Sequence, residues 1–247
     1  MTLKHKTEIL KFIVLGFFGS FLFYKRQNII GSILEYAKQN HKNYSKQFKP
    51  QRIILIRHGE SEGNVDDTKY AYKADNKIEL TEKGKKQAYQ IGKQLKQLIG
   101  NNYVLFYYSP FVRTIQTLNE IKKSFDPSNY REKEDCRLRE LEWGNLQTWN
   151  LDAKQRQQII DERNTVGKFY YRFQSGESGC DVYNRICSFL GSFKRQIKKD
   201  LTHKRKKNDV VIVAHGLTIR LFIMYGPTSN KVCKSLANQQ TLKIVNA

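Results

Sequence analysis

The chain has 247 residues, enough to bury one sizeable core, and we predict one domain plus an extension. Its 44 Lys and Arg against 23 Asp and Glu give a formal charge of +21. This charge favours anionic partners, such as phosphorylated substrates or acidic lipid headgroups, or is only a Lys-rich solubilising surface. No nucleic-acid-binding signature accompanies it, so we expect no nucleic-acid partner. The cysteines form no zinc spacing, and we predict four free thiols at Cys136, Cys180, Cys187 and Cys233.

An apolar run lies near the N-terminus. Residues 9–24 are mostly apolar, are interrupted by Lys11 and approach the length of about 20 residues that a spanning helix needs. An uncleaved membrane anchor, a cleaved signal and a buried helix stay open, and we favour the anchor. We therefore predict a hydrophobic segment (1–26), a polar linker (27–50) and a domain (51–247) that is tethered to a membrane on its cytosolic side. A cytoplasmic protein is the alternative.

Two short apolar runs end in the same kind of residue. Residues 53–56 lead into Arg57 and His58, residues 210–214 lead into His215, and a glycine follows each histidine. Such runs predict parallel strands that are buried on both faces and whose carboxyl ends open onto a site. Packing is a poor explanation for two strand ends that each deliver a histidine. We expect these histidines to lie at the mouth of one sheet.

Helical and extended patterns alternate along the rest of the domain. Residues 65–78 are polar and irregular and predict a loop over the first strand end, where substrate contacts are common. The alternation predicts a single α/β domain. The predicted helices cover residues 82–98, 153–166 and 182–199, a stretch from near Arg113 to 121 and the residues after His215, and further strands cover 104–108 and 242–245.

The polar residues at these positions suit a phosphate group. Arg113 falls in the first turn of a helix, where free backbone N–H groups attract anions. Guanidinium groups such as that of Arg57 bind phosphoryl oxygens bidentately. A neutral imidazole such as that of His58 can attack phosphorus and form a phosphohistidine. The combination predicts phosphoryl transfer.

Such a reaction also needs a proton donor for the leaving group. A carboxyl group that its surroundings keep protonated is the expected donor, and Glu140 and Glu142 both qualify on chemistry alone. Nothing in this scheme requires a metal or a cofactor, and we predict neither.

Four motifs resemble the histidine phosphatase superfamily, whose members are phosphoglycerate mutase-like proteins. They occur in the family's order and span residues 52–245, and further blocks resemble a broad-specificity phosphatase branch of fungi and plants. The resemblance implies a three-layer phosphoglycerate mutase-like α/β fold with a mostly parallel central sheet flanked by helices. The four motifs are Arg57-His58-Gly59-Glu60 with Ser61 and Asn64, Ser109-Pro110 with Arg113-Thr114 and Gln116-Thr117, Arg137-Leu138-Arg139-Glu140, and Ala214-His215-Gly216.

The resemblance also implies roles for single residues. It makes His58 the phosphorylated nucleophile and, from the spacing of the third motif, Glu140 rather than Glu142 the general acid. Glu177 either shapes the pocket or caps the next helix, and we count it among the substrate-binding candidates. The implied phosphate-binding residues are Arg57, Asn64, Arg113 and His215.

Three functions stay open. The first is a metal-independent acid phosphatase that hydrolyses a phosphorylated small molecule or phosphoprotein through a phosphohistidine. The others are a mutase and a non-catalytic, membrane-tethered scaffold that binds phosphate. The mutase pattern usually carries Trp at the position of Gly63 and Arg-His-Tyr-Gly where this chain has Glu140-Leu141-Glu142-Trp143-Gly144, so this sequence favours the phosphatase.

Overall fold

The computed structural model describes Glu35 and residues 50–144, 152–203, 208–225 and 242–246. The predicted hydrophobic segment at 1–26 and the linker except Glu35 and Pro50 lie outside these ranges. Residues 204–207, a run of four Lys and Arg, also lie outside them. Within them, no helix has both the length and the apolar character needed to cross a membrane.

A five-stranded sheet forms the centre of the domain. Its strands in chain order are β1 (Arg52–Arg57), β2 (Tyr103–Tyr108), β3 (Tyr130–Glu134), β4 (Asn208–Ala214) and β5 (Leu242–Asn246). They lie side by side in the order β3-β2-β4-β1-β5. All neighbours are parallel except β5, which pairs antiparallel with β1 at one edge. The predicted α/β class with a mostly parallel sheet is confirmed.

Helices connect the strands close to the predicted positions. They are α1 (Glu62–Val65), α2 (Glu82–Ile99), α3 (Val112–Lys122), α4 (Ala153–Val166), α5 (Gly179–His203) and α6 (Gly216–Tyr225). The Thr81 side chain caps α2 by accepting the Gly84 N–H at 3.0 Å, and Gly100 ends the helix with φ +63°.

The helices cover both faces of the sheet, which gives the predicted three layers. On one face, alternate residues of β1, β2 and β4 form a buried core with α2 and α3. On the other face, the ring of Tyr107 contacts Phe189 and Phe193 of α5, with centroid distances of 5.9 and 5.2 Å. Phe222 of α6 lies 6.4 Å from both phenylalanines. These aromatic contacts close the second helical layer over the sheet.

Strand β3 has no counterpart among the strands predicted from the sequence. Four of its five residues are charged and exposed, so it shows no alternation of apolar and polar side chains. As an edge strand, β3 is held by main-chain pairing with β2. Charged side chains along such an edge discourage pairing with other molecules.

Three strands end in register, and this brings together the residues that follow them. Arg57 of β1 lies opposite Ala214 of β4. The pairing continues past the strands, because the N–H of His58 donates to the carbonyl of Ala214 and that of Ser109 donates to Val213, each at 3.1 Å. The carboxyl ends of β1, β2 and β4 therefore meet at one place.

The loop after β1 crosses the first turn of α2 at very short range. A Cβ atom on Gly84 would lie 2.0 Å from the carbonyl oxygen of Glu60, and one on Gly59 would lie 2.5 Å from that of Gly84. The hydroxyl of Thr117 in α3 also accepts the Gly59 N–H at 3.1 Å. Two helices thus fix the loop that begins with His58, and glycine is required where the backbones touch.

We expect Gly84→Ala to lower the free energy of unfolding by about 1–3 kcal/mol, because the added methyl group meets backbone atoms that cannot turn aside. Gly191→Ala is the matched control, since a Cβ atom there in α5 would have no neighbour within 4 Å. It should raise stability by about 0.5–1 kcal/mol through helix propensity. Denaturant unfolding of both variants measures the difference. A Gly84→Ala protein as stable as the wild type would contradict the contact.

Candidate active site

A cavity of about 630 Å³ opens at the carboxyl ends of β1, β2 and β4. Its wall contains five of the residues that the sequence analysis selected. They are Arg57, His58, Asn64, Arg113 and Glu140. These residues come from the end of β1, from α1 and α3, and from an irregular segment that holds Glu140, and the fold brings them to one place.

His58 is buried and neutral. Its Nδ1 lies 2.8 Å from the carbonyl oxygen of Gly59, which can only accept, so Nδ1 carries the proton and Nε2 keeps its lone pair. Burial, reinforced by the charge of Arg113 and then that of Arg57, lowers the pKa of His58 to about 3. At neutral pH the side chain can therefore act as a nucleophile through Nε2.

His215 lies beside His58, with ring centroids 5.3 Å apart, and is completely buried. Its Nε2 is 2.8 Å from the hydroxyl oxygen of Ser109. Burial and then the charge of Arg113 keep its pKa well below the usual value. Its buried Nδ1 has no hydrogen-bond partner among the described residues. His215 is not part of the cavity wall, so its contact with a phosphoryl oxygen stays a prediction.

Two arginines direct guanidinium donors at the cavity. Arg113 is almost fully buried and stacks on the ring of Phe111, 4.9 Å from its centroid. Its Nη1 donates to the main-chain carbonyl and to Oδ1 of Asp75, both at 2.6 Å. The Nε atoms of Arg113 and Arg57 are buried and have no partner in the part of the chain that the structure describes. Unused buried donors of this kind fit an anionic oxygen.

The predicted loop at 65–78 contains two short 3-10 turns, Asp67–Ala71 and Asp75–Lys77, that line the cavity. Tyr70 in the first turn lies against Gly63, because a Cβ atom on Gly63 would be 2.5 Å from the tyrosine hydroxyl oxygen. Burial raises the pKa of this hydroxyl. The small residue at position 63 therefore makes room for an aromatic ring in the site.

Glu140 supplies a carboxyl group that is poised to be protonated. Its Oε1 accepts the N–H of Leu141 at 3.0 Å, so a proton on the carboxyl would sit on the other oxygen. Burial raises the pKa of Glu140 and outweighs the opposing effects of the Leu141 N–H and the charge of Arg113. Glu142 is exposed and does not line the cavity.

Glu177 lies away from the cavity wall, in contrast to its selection as a substrate-binding candidate. Its carboxylate forms an ion pair with Arg185 at 3.0 Å and accepts the N–H of Glu142 at 3.2 Å. Nor does it cap α5, since the side chains of Ser178 and Asp181 do so reciprocally. The structure thus gives Glu177 a role in supporting the segment around Glu140.

Three residues that hold the site together have no role in the sequence-based prediction. Ser109 directly follows a predicted strand, so its place beside the histidines was open to prediction. Arg185 lies three residues after Val182 and four before Phe189, on the buried stripe of α5. A charged residue in an otherwise apolar stripe indicates a buried polar partner, so its role was also predictable from the sequence. Asp75 begins a short 3-10 turn in a polar loop, and no sequence pattern indicated its contact with Arg113.

Among the described residues, no group of three or more His, Cys, Asp or Glu side chains could hold a metal ion. Three of the four cysteines fall within the described ranges and are free thiols, at Cys136, Cys180 and Cys187. Cys233 lies outside them.

Known proteins share these features. Two Arabidopsis thaliana proteins, phosphoglycerate mutase-like proteins AT74H and AT74, are 42% and 43% identical over 72% and 71% of this chain. The matched stretches are 66% and 57% of the plant proteins, so the chain spans less than two thirds of their length. Broad-range acid phosphatase DET1 of Saccharomyces cerevisiae is 26% identical, over 71% of this chain and 78% of the yeast protein.

Solved structures share the fold. A mycobacterial glucosyl-3-phosphoglycerate phosphatase matches with a TM-score of 0.53 at 19% identity, over 70% of this chain and 78% of that one. An alpha-ribazole phosphatase from Shigella flexneri matches with a TM-score of 0.50 at 22% identity, over 70% and 78%. The family model for the histidine phosphatase superfamily (branch 1) matches residues 53–228. The chain therefore belongs to the histidine phosphatase superfamily.

Proposed function

We propose that the protein is a phosphomonoesterase that hydrolyses phosphate esters through a phosphohistidine on His58, with Glu140 as the proton donor. The observation that carries this proposal is a neutral imidazole and a carboxyl group of raised pKa in one cavity with two arginines. The similarity to a broad-range acid phosphatase supports it. The cavity volume of about 630 Å³ suits a phosphorylated small molecule. A phosphoprotein substrate stays a prediction.

In the first step, the guanidinium groups of Arg57 and Arg113 hold the phosphoryl oxygens, with Asn64 and His215 beside them. Nε2 of His58 attacks phosphorus, an N–P bond forms, and the ester P–O bond breaks. The departing oxygen takes the proton of Glu140, so the alcohol leaves neutral.

In the second step, water hydrolyses the phosphohistidine. The Glu140 carboxylate takes a proton from the water, whose oxygen attacks phosphorus. The N–P bond breaks, its electron pair returns to Nε2 of His58, and inorganic phosphate leaves. Glu140 is protonated again, and no step in this scheme uses a metal ion.

The Gly63 contact favours hydrolysis over the mutase alternative. A larger residue at this position, such as the Trp of the mutase pattern, would collide with Tyr70. In this chain the ring of Tyr70 forms the cavity wall beside Gly63, and the mutase pattern places a Trp side chain at that position.

We expect purified wild-type protein to release phosphate from an aryl phosphate at acid to neutral pH in the presence of a chelator. His58→Ala should reduce this rate by at least about a thousandfold, because the nucleophile is lost. Phosphate release measures the effect. A wild type that hydrolyses no ester in a broad panel would refute the proposal. Transfer between positions of a phosphoglycerate without net release would identify a mutase.

Glu140→Gln should lower kcat/KM for an alkyl phosphate by about 10²–10⁴-fold, because an alkoxide leaves only with a proton. The loss should be much smaller for an aryl phosphate, whose leaving group is weakly basic. The ratio kcat/KM is the right measure, because it reports steps up to release of the alcohol and excludes hydrolysis of the phosphohistidine. Glu142→Gln is the matched control, and an equal effect on both esters from Glu140→Gln would contradict the role.

The pH profile offers a second readout for Glu140. Its raised pKa keeps the acid form present to a higher pH than an ordinary carboxyl group, and activity is lost as pH rises through that pKa. Glu140→Gln should remove this basic limb from the alkyl profile. The aryl profile serves as the control for ionisation of the substrate.

We also propose that residues 9–24 anchor the protein to a membrane, with the catalytic domain in the cytosol. The apolar composition of this stretch and its near-spanning length support the anchor, and the free cysteines are consistent with a reducing compartment for the domain. The full chain should then float with lipid vesicles and need detergent for solubility, whereas a protein that starts at Gln51 should not. Equal solubility of the two without detergent would contradict the anchor.

A further inference from the structure

We propose that Arg185 is a positioning residue that fixes the carboxyl group of Glu140 in the cavity, with Glu177 as its counter-ion. This inference rests on the proposed function, in which Glu140 is the proton donor.

The guanidinium group of Arg185 binds the main chain on which Glu140 lies. Its Nη1 donates to the carbonyl oxygens of Arg137 and Arg139, at 2.7 and 2.8 Å. Its Nη2 donates to the carbonyl oxygen of Glu140 itself, at 2.9 Å. One side chain therefore fixes three carbonyl groups of a four-residue stretch.

Glu177 completes this cluster from the other side. Its carboxylate accepts from Nε and Nη2 of Arg185, at 3.1 and 3.0 Å, and also pairs with Arg139. Its main-chain N–H donates to the carbonyl of Glu142 at 2.8 Å, and its side chain accepts the Glu142 N–H. The two residues on either side of the Glu140–Leu141 pair are thus held by one carboxylate.

The segment needs this support because it has little regular structure of its own. A short 3-10 turn, Cys136–Leu138, precedes Glu140, and neither a helix nor a strand continues through it. The support comes from α5, whose Val182, Ile186 and Phe189 are buried in the core. A second anchor comes from α6, where the Thr218 hydroxyl donates to the carbonyl of Arg139 at 2.9 Å.

Arg185 lies behind the cavity wall, and its guanidinium group contacts protein groups. Its side chain is 9% exposed, that of Glu177 is 13% exposed, and neither residue lines the cavity. The guanidinium group has five N–H donors, which all lie in its plane. The three carbonyls and the carboxylate accept five hydrogen bonds from these donors. Lysine has the same charge but no such fork, so it cannot reproduce these contacts.

Arg185→Lys tests the inference while keeping the positive charge. A displaced carboxyl group transfers its proton less well, so kcat/KM for an alkyl phosphate should fall about tenfold to a hundredfold more than kcat/KM for an aryl phosphate. A merely structural role would lower both by the same factor. Thermal unfolding of each variant checks that it is folded at the assay temperature.

Arg52→Lys is the matched control. The guanidinium group of Arg52 likewise binds a carboxylate, that of Asp209, at 2.7 and 2.9 Å, and a main-chain carbonyl, that of Leu98, at 2.8 Å. Arg52 begins β1, at the end of the sheet opposite the cavity. Its replacement should lower stability and leave the ratio of alkyl to aryl kcat/KM unchanged.

A double variant shows whether Arg185 acts through Glu140. In Glu140→Gln/Arg185→Lys, the ratio should equal that of Glu140→Gln alone, because the proton to be positioned is already gone. Glu177→Gln is a second single variant, and it should shift the ratio of alkyl to aryl kcat/KM in the same direction as Arg185→Lys. It provides the test if the Arg185→Lys protein fails to fold.

An unchanged ratio in a folded Arg185→Lys or Glu177→Gln protein would overturn the inference, as would an equal shift in Arg52→Lys. The inference would then fail while the wild type still hydrolysed both esters. A wild type that hydrolysed neither ester would instead overturn the proposed function and, with it, this inference.

Discussion

The parallel register between β1 and β4 is the constraint on which the site depends. Because Arg57 lies opposite Ala214, the histidines that follow the two strands come within 5.3 Å of each other, centroid to centroid. Burial, reinforced by the charge of Arg113, lowers the pKa of both rings and disfavours their imidazolium forms. Both rings are therefore neutral, and neutrality is what a nucleophilic imidazole requires.

The acidic residues around the site divide by their partners. Asp75 lies against Arg113 and Glu177 against Arg185, in ion pairs of 2.6 and 3.0 Å. Glu140 forms no ion pair within the ranges that the structure describes, and its pKa is the one that burial raises. Pairing thus separates carboxylates that hold the arginines in place from a carboxyl group that can carry a proton.

The parts of this fold that depend on local sequence patterns were predictable from the sequence. Buried strands are recognisable as apolar runs, and the motifs that follow them contain five residues of the cavity wall. Strand β3 escaped because an edge strand with four charged residues carries no periodic signal. Asp75 and the two-sided contacts of Arg185 escaped because they join segments distant in the chain. The position of Glu177 depends on its ion pair with Arg185, and the residues next to Glu177 in the sequence do not reveal this pair.

The contact between Gly59 and Gly84 also bears on the local unfolding of the domain. The loop that carries His58 and the first turn of α2 touch through backbone atoms, so neither can move far without displacing the other. We expect the two to form one cooperative unit, whose amide hydrogens exchange with solvent through a shared opening. Local unfolding at the start of α2 would then displace His58 and its loop, which links the lifetime of the cavity to the stability of that single turn.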